Sequence, residues 1–251
     1  MIKLIIPAAL AALIATACSD DDSGPAAPSN NKVLEFEYTF AASDEGFSSG
    51  FADYPSGEEG FYGLDFEYKS LPDNFHPERK GLFITGNNHS DDLFMFIKRR
   101  LGSAEGIKPN VVYFLSLTVE FATSAGSGCA GIGGAPGESV YMKAGAAAIE
   151  PLAVNTKSFY EMNIDKGQQA SGGPDALVIG HIGNNSGDCS GRTWEFKTLE
   201  LPEFAVKTGD NGELWVIIGT DSGFEGVTRL YYTNVRLTLV GTSLNNLPGI
   251  K

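Results

Sequence analysis

Apolar residues recur at every second position along much of this chain. Leu34, Phe36, Tyr38 and Phe40 alternate with Glu35, Glu37 and Thr39, and Leu64, Phe66 and Tyr68 alternate with Asp65, Glu67 and Lys69. Tyr113, Leu115, Leu117, Val119 and Phe121 share one side, with Ser116, Thr118 and Glu120 opposite. A period of two marks antiparallel strands with one buried face. Further runs predict strands at Leu82–Thr85, Leu93–Lys98, Val140–Lys143, Ala176–Ile182, Trp194–Thr198, Leu214–Gly219 and Thr228–Val240. Turn-forming clusters such as Gly209-Asp210-Asn211-Gly212 separate them. Many short strands with no long helical period predict an all-β domain over residues 32–242. The expected architecture is a single β-sandwich, a jelly roll, with residues 243–251 as a tail.

The N-terminus breaks the pattern. Lys3 precedes an apolar run, Leu4–Ala17, and Ala15-Thr16-Ala17 is a small-residue cleavage site, so residues 1–17 read as a secretory signal. As a helix the run would reach about 21 Å, short of the roughly 30 Å of a bilayer core. Cys18 follows the cut. ATAC resembles the lipobox of bacterial lipoproteins, departing from it at Ala15, where Leu is usual. The same site also suits ordinary signal peptidase, which would leave Cys18 unmodified. Ser19-Asp20-Asp21-Asp22 resembles the export signal of Bacteroidetes surface lipoproteins. The resemblance implies an outer-membrane protein at the cell surface, held to the membrane by lipid alone. Residues 18–31, acidic and then rich in Gly, Pro, Ser and Asn, read as a flexible tether.

Composition narrows the function. A net charge of −13 argues against nucleic-acid binding, which needs a basic face. Of three cysteines, Cys129 and Cys189 remain once Cys18 is acylated. In an oxidising compartment they predict a disulfide, or failing that two separate buried thiols. Neither has a second Cys or a His at metal-ligand spacing.

Three segments carry a family resemblance: GIKPNVVYFLSLTVEF (residues 106–121), GESVYMKAG (137–145) and LYYTNVRLTLV (230–240). They look like strands of carbohydrate-binding-module and galactose-binding-like jelly rolls. GFADYP, GNNHSDDLFMFIK and NIDKG resemble segments of Bacteroidetes lipoproteins of unknown function. The jelly-roll resemblance implies a structural Ca²⁺ joining an early loop to the closing strand, with Asp44, Glu45 and Asn234 as its candidate ligands.

Catalytic motifs are sparse. His76, His89 and His181 are scattered, outside any HExxH pattern, and although Gly46-Phe47-Ser48-Ser49-Gly50 spells GxSxG, no helical pattern follows it to make the nucleophile elbow a serine hydrolase needs. Gly126, Gly128 and Gly131 spell GxGxxG after a strand, yet Gly133, Gly134, Pro136 and Gly137 cannot open the helix a dinucleotide needs. They read as a glycine-rich loop. Glu120, opposite the core face of its strand, is a candidate acid or a solvated carboxylate. Asn87–Asp92 is a polar cluster suited to sugar hydroxyls or to self-bonded turns. Phe47, Phe51, Tyr54, Phe61 and Tyr62 either stack on sugar rings or cap the core, while Trp194 and Trp215 read as core. The expected site joins Phe51, Tyr54 and Tyr62 with Asn88 and Asp91 in a glycan-binding surface, and no catalytic residue is assigned. The alternatives are a glycoside hydrolase or lyase on a β-sandwich, and a structural or adhesive surface protein that binds another protein.

Cys18→Ser is expected to abolish incorporation of a palmitate analogue and release the protein from membranes; equal labelling of mutant and wild type contradicts the lipid anchor.

Overall fold

A computed structural model describes residues 32–242; the signal segment, Cys18, the tether and the tail from 243 lie outside the described residues. The strands are β1 (Val33–Tyr38), β2 (Ser48–Ala52), β3 (Tyr54–Pro55), β4 (Asp65–Ser70), β5 (Lys80–Asn87), β6 (Leu93–Leu101) and β7 (Val112–Thr123). They continue as β8 (Val140–Ala147), β9 (Ala153–Thr156), β10 (Phe159–Met162), β11 (Ala176–His181), β12 (Glu195–Lys207), β13 (Leu214–Ser222) and β14 (Val227–Thr242). One 3₁₀ turn, Ser103–Glu105, interrupts them.

A six-stranded sheet runs β12-β7-β14-β5-β4, with β1 added beside β14. The length of β14 allows this: Val227–Tyr232 pairs with β5 and Val235–Val240 pairs with β1. A five-stranded sheet runs β11-β8-β13-β6-β2. From β5 to β8 the chain alternates between the two sheets, then returns through the β9–β10 hairpin to the same sheet at β11, and alternates again from β11 to β14. The alternating residues meet between the sheets: Leu115, Leu117, Phe121, Tyr232 and Leu239 from one, Met95, Ile97, Met142, Val216 and Ile218 from the other.

Two departures from the sequence reading have physical reasons. The strand expected to end at Thr198 continues to Lys207. Pro202 hides the continuation, because proline cannot donate to a ladder; β12 is an edge strand and bulges between Leu201 and Phe204 to accommodate it. The second is a cap. Residues 148–175, with β9 and β10 as a hairpin, fold over the outer face of the five-stranded sheet, and β10 also pairs with β3. Ile164, Met162 and Ala153 of the cap pack against Phe94, Phe96 and Ile217. Gly145 permits the approach, since a Cβ there would lie 2.1 Å from the carbonyl oxygen of Asp175. Lys98 ties the cap down, with Nζ 2.7 Å from Glu150 Oε1 and 2.8 Å from the Pro151 carbonyl oxygen.

Phe94 points away from the main core, so its burial depends on the cap. Phe94→Ala is expected to destabilise the domain by about 3–5 kcal/mol, measured by denaturant unfolding. A cost near that of an exposed site, within about 0.5 kcal/mol, contradicts the cap as part of the cooperative fold.

Candidate functional site

The residues expected to bind sugar are distributed between core and surface. Tyr54 and Tyr62 are buried, with ring centroids 5.4 Å apart, and Tyr160 of the cap packs on Tyr54 at 5.1 Å. Burial pushes the Tyr54 hydroxyl up to about 12. Phe51 is half-buried against the same core. Asn88 is also buried: its Nδ2 donates to the carbonyls of Ser222 and Phe224, and its Oδ1 accepts from the amides of Ser90 and Leu93. Asp91 is exposed, and its carbonyl accepts from Gln169 Nε2. These five residues therefore do not form one open surface; three of them hold the fold together. Phe61, 62% exposed, is the ring of this stretch that faces solvent, stacked on His89 at 4.1 Å.

The calcium candidates do not fit a cation. Glu45 Oε1 accepts from the amides of Thr39 and Phe40, and Asp44 Oδ1 accepts from the amide of Gly46. Asn234 Nδ2 donates to Glu37 Oε1. These groups already serve backbone amides and a carboxylate. Among the described residues no group of three or more His, Cys, Asp or Glu side chains is placed to hold a metal ion. Glu120 is held by Arg79 at 2.7 Å and Thr233 at 2.8 Å, an ion pair on the sheet face.

Both tryptophans lie on outer faces and are half-buried, unlike the core positions expected of them. Trp215 has Lys98 Nζ 5.5 Å from its ring. Trp194 joins an aromatic row on the six-stranded sheet, where the register aligns Phe196, Ala122, Tyr231 and Phe83 across four strands. Trp194 packs edge-on to Tyr231 at 5.4 Å, and Arg229 lies 5.7 Å from the Trp194 ring.

Arg229 also lines a cleft of about 330 Å³ at the glycine-rich end of the sandwich. Ile182, Phe224 and Val227 give it an apolar lining, and Ser190, Thr228 and Arg229 supply polar groups. Of the GxGxxG glycines, Gly126 lines it and Gly131 packs behind the Phe224 ring of its lining. A Cβ at Gly126 would lie 2.7 Å from the Asp188 carbonyl oxygen, and one at Gly131 would lie 2.5 Å from the Phe224 ring. Bare backbone at these two points lets the loops close together. A Cys129–Cys189 disulfide, with Cα atoms 5.4 Å apart, joins the β7–β8 loop to the β11–β12 loop. Closing a loop of that length stabilises by about 4 kcal/mol in the chain-entropy model.

Two polar residues set the β11–β12 wall. Asn184 is buried; its Nδ2 donates to the carbonyls of Thr123 and Thr193, and its Oδ1 accepts from Ser186. Asp188 accepts from the amides and hydroxyls of Ser190 and Thr193. Those bonds, with Ser190 foremost, hold its carboxyl well below the usual range. Thr228 Oγ1, at the inner side of the cleft, is buried without a hydrogen-bond partner. The sequence reading missed Asn184, Asp188, Trp194, Phe224 and Arg229 as site residues. One signal was available: Asn-x-Ser stands after a strand at both Asn88 and Asn184, and both asparagines bond the serine two residues on.

No family model matches the chain, and no curated protein matches it. Distant likenesses exist among solved structures. The xylanase 10B of Clostridium thermocellum, a carbohydrate-binding module joined to a glycoside hydrolase module in complex with xylohexaose, aligns at 14% identity and a TM-score of 0.38. The match covers 87% of this chain and 30% of that one, so this chain spans less than a third of the xylanase. A carbohydrate-binding module that recognises mannan aligns at 11% identity and a TM-score of 0.37, over 82% of this chain and 98% of the module. The K1 cleaved adhesin domain of Lys-gingipain from Porphyromonas gingivalis aligns at 11% identity and a TM-score of 0.29, over 83% and 98%. At these scores the likenesses carry no inference about ligand.

Asn184→Ala is expected to cost about 1–3 kcal/mol, because two carbonyls lose their donor; a change within about 0.5 kcal/mol removes Asn184 from this role. Asp188 adds a pH dependence of known sign. Its folded-state acidity is strengthened, so its contribution is present above the unfolded value of about 3.9 and is lost as pH falls through the lower folded value. The Ser190 and Thr193 amides should thus stay protected from hydrogen exchange as pH drops past about 3.9. Loss of protection at a higher pH contradicts the assignment.

Proposed function

We propose that this chain is a lipid-anchored surface protein of the outer membrane whose sandwich binds glycan, without catalysis, in the cleft at its glycine-rich end. The observation that carries the reading is the chemistry of that cleft: an apolar lining beside hydroxyls and one guanidinium, on loops pinned by a disulfide. A sugar ring presents apolar C–H faces and a fringe of hydroxyls. It needs a flat apolar contact and fixed polar partners together, as Phe224 with Ser190 and Arg229 provide in the lining, with the Trp194 ring flanking Arg229 on the adjoining sheet face. Preorganised loops lower the entropy lost on binding. The anchor at Cys18 and its acidic flank support the location.

A second reading has one observation of its own. Ile132 is 72% exposed and Val227, in the cleft lining, is 59% exposed, and the amide of Glu225 bonds the Ile132 carbonyl. Apolar side chains this open suit a protein partner.

The test is a glycan array probed with the protein, with and without calcium, followed by affinity measurements on variants. Trp194→Ala and Arg229→Ala are each expected to weaken retention roughly five- to a hundredfold, the scale of stacking on an aromatic in nucleic-acid grooves, with little change in Tm. Tyr54→Ala is expected to lose about 2–4 kcal/mol of stability and keep its glycan. Full retention by both the Arg229 variant of the cleft and the Trp194 variant flanking it overturns the site. Release of product from a polysaccharide would make the protein a hydrolase or lyase, and a protein partner with no glycan signal would favour the second reading.

A further inference from the structure

Beneath the cap lies a group of charges that takes no part in the cleft. The side chains of Lys143 on β8 and Asp221 on β13 have no exposed surface, and Lys143 Nζ lies 2.7 Å from Asp221 Oδ2. Lys166 of the cap reaches the same oxygen at 2.7 Å and Asp53 Oδ2 at 2.8 Å. Asp92, from the β5–β6 loop, lies close enough to Asp221 for the two charges to interact, and Gln168 Nε2 donates to Asp92 Oδ2 at 3.1 Å. Phe94, fully buried, underlies the group with Lys166 Nζ 4.8 Å from its ring. Asp53 and Gln169, which border it, have φ of 64° and 44°, a left-handed backbone costly for residues other than glycine.

Two oxygens in this group are incomplete. Asp92 Oδ1 and Asp221 Oδ1 are both buried and find no donor. Two neighbouring buried carboxyls, each with an oxygen that lacks a donor, resist carrying two charges, so one of the pair holds a proton. Burial, and then the Asp221 charge, hold the Asp92 carboxyl up to about 7, which makes Asp92 the natural carrier. With that proton the three acids and two lysines balance. Burial also pushes the Lys143 amine down, against the pull of Asp221. Burial acts on Lys166 too, but the carboxylates of Asp221 and Asp53 outweigh it and leave Lys166 the stronger base. The lysine readier to lose its proton therefore sits against a carboxyl of that pair.

A buried ion pair is a weak source of stability, because desolvation costs several kcal/mol per ion. As reactants the same groups make more sense: an amine nucleophile and a carboxyl electrophile held together away from water, with a half-buried proton carrier at their edge.

We propose that Lys143 and Asp221 condense to an intramolecular amide, with Asp92 carrying the protons. Lys143 first yields one proton to the Asp92–Asp221 pair. Its Nζ lone pair then attacks Cγ of Asp221, while the Lys166 ammonium holds Oδ2 as negative charge develops there. Asp92 passes protons from Nζ to Oδ1, which leaves as water. The Nζ–Cγ bond forms and the Cγ–Oδ1 bond breaks. The ammonium gives up two protons, both depart with Oδ1, and Asp92 ends as it began. No oxidant, reductant or activated co-reactant is required. The product welds β8 to β13 at the centre of the five-stranded sheet.

Peptide mapping of the full-length protein tests this without any mutation. Tryptic digestion of the denatured and reduced wild type should give one branched peptide that joins the Lys143 peptide, uncut at Lys143, to the Asp221 peptide and is lighter by one water than those two peptides together. Asp92→Asn should keep the strand content by circular dichroism and the Cys129–Cys189 bridge, yet give the two peptides mostly unlinked. Folded wild type that yields only linear peptides, with cleavage at Lys143, overturns the proposal. A branch to Lys166 overturns the assignment of Lys143, and an Asp92→Asn protein linked as fully as wild type removes Asp92 from the chemistry.

Discussion

The central strands β6, β8 and β13 of the five-stranded sheet are buried on both faces over most of their length, and much of the rest of the molecule follows from that constraint. Leu93 to Ile97 of β6 is apolar at every position, so one side of the strand enters the main core while Phe94 and Phe96 face the other way. A strand apolar on both sides needs cover on both sides. The second sheet supplies one cover and residues 148–175 the other. The second comes at an electrostatic cost, because β6, β8 and β13 carry Lys98, Lys143 and Asp221 into the covered side. Each is paired there: Lys98 with Glu150, Lys143 and Lys166 with Asp221. Charges cannot be left unpaired in such a place.

The six-stranded sheet solves the same problem differently. Its outer face is only partly sheltered, by Leu71 and Phe75 from the β4–β5 connection, and cations lie on several of its rings. At its glycine-rich end the row of rings reaches Trp194 and Arg229, beside the cleft. The capped sheet thus gives the loops at the sandwich end a rigid support.

Strands whose two faces differ were legible in the sequence: β7 and β14 read correctly because Leu115, Leu117 and Val119, or Leu230, Tyr232, Leu237 and Leu239, recur with period two. β12 was half hidden by Pro202, and β2 by the run Ser48-Ser49-Gly50, which offers no alternation. The cap hairpin was not legible, since β9 and β10 are short and mostly exposed on one side. The disulfide followed from cysteine count and compartment. The site did not follow, because composition cannot separate a loop aromatic from one that pairing distant in sequence will bury. Tyr54 enters the core through the β3–β10 pairing, about a hundred residues away, and Tyr62 packs on it. Asn88 looked like a ligand because a staple between loops and a sugar contact use the same amide. Glu45 looked like a metal ligand for a similar reason: its carboxylate is spent on the amides of Thr39 and Phe40.

Glycan recognition by the cleft at the sandwich end is the central claim, and chemical-shift mapping tests it most directly. Labelled protein titrated with a retained oligosaccharide should show saturable shifts at the Trp194 indole, the Arg229 guanidinium and the amides of Ser190, Phe224 and Val227, with Tyr54 and Tyr62 unmoved. Shifts confined to the Phe61–His89 pair and the Asp91 loop, with the cleft silent, would contradict it.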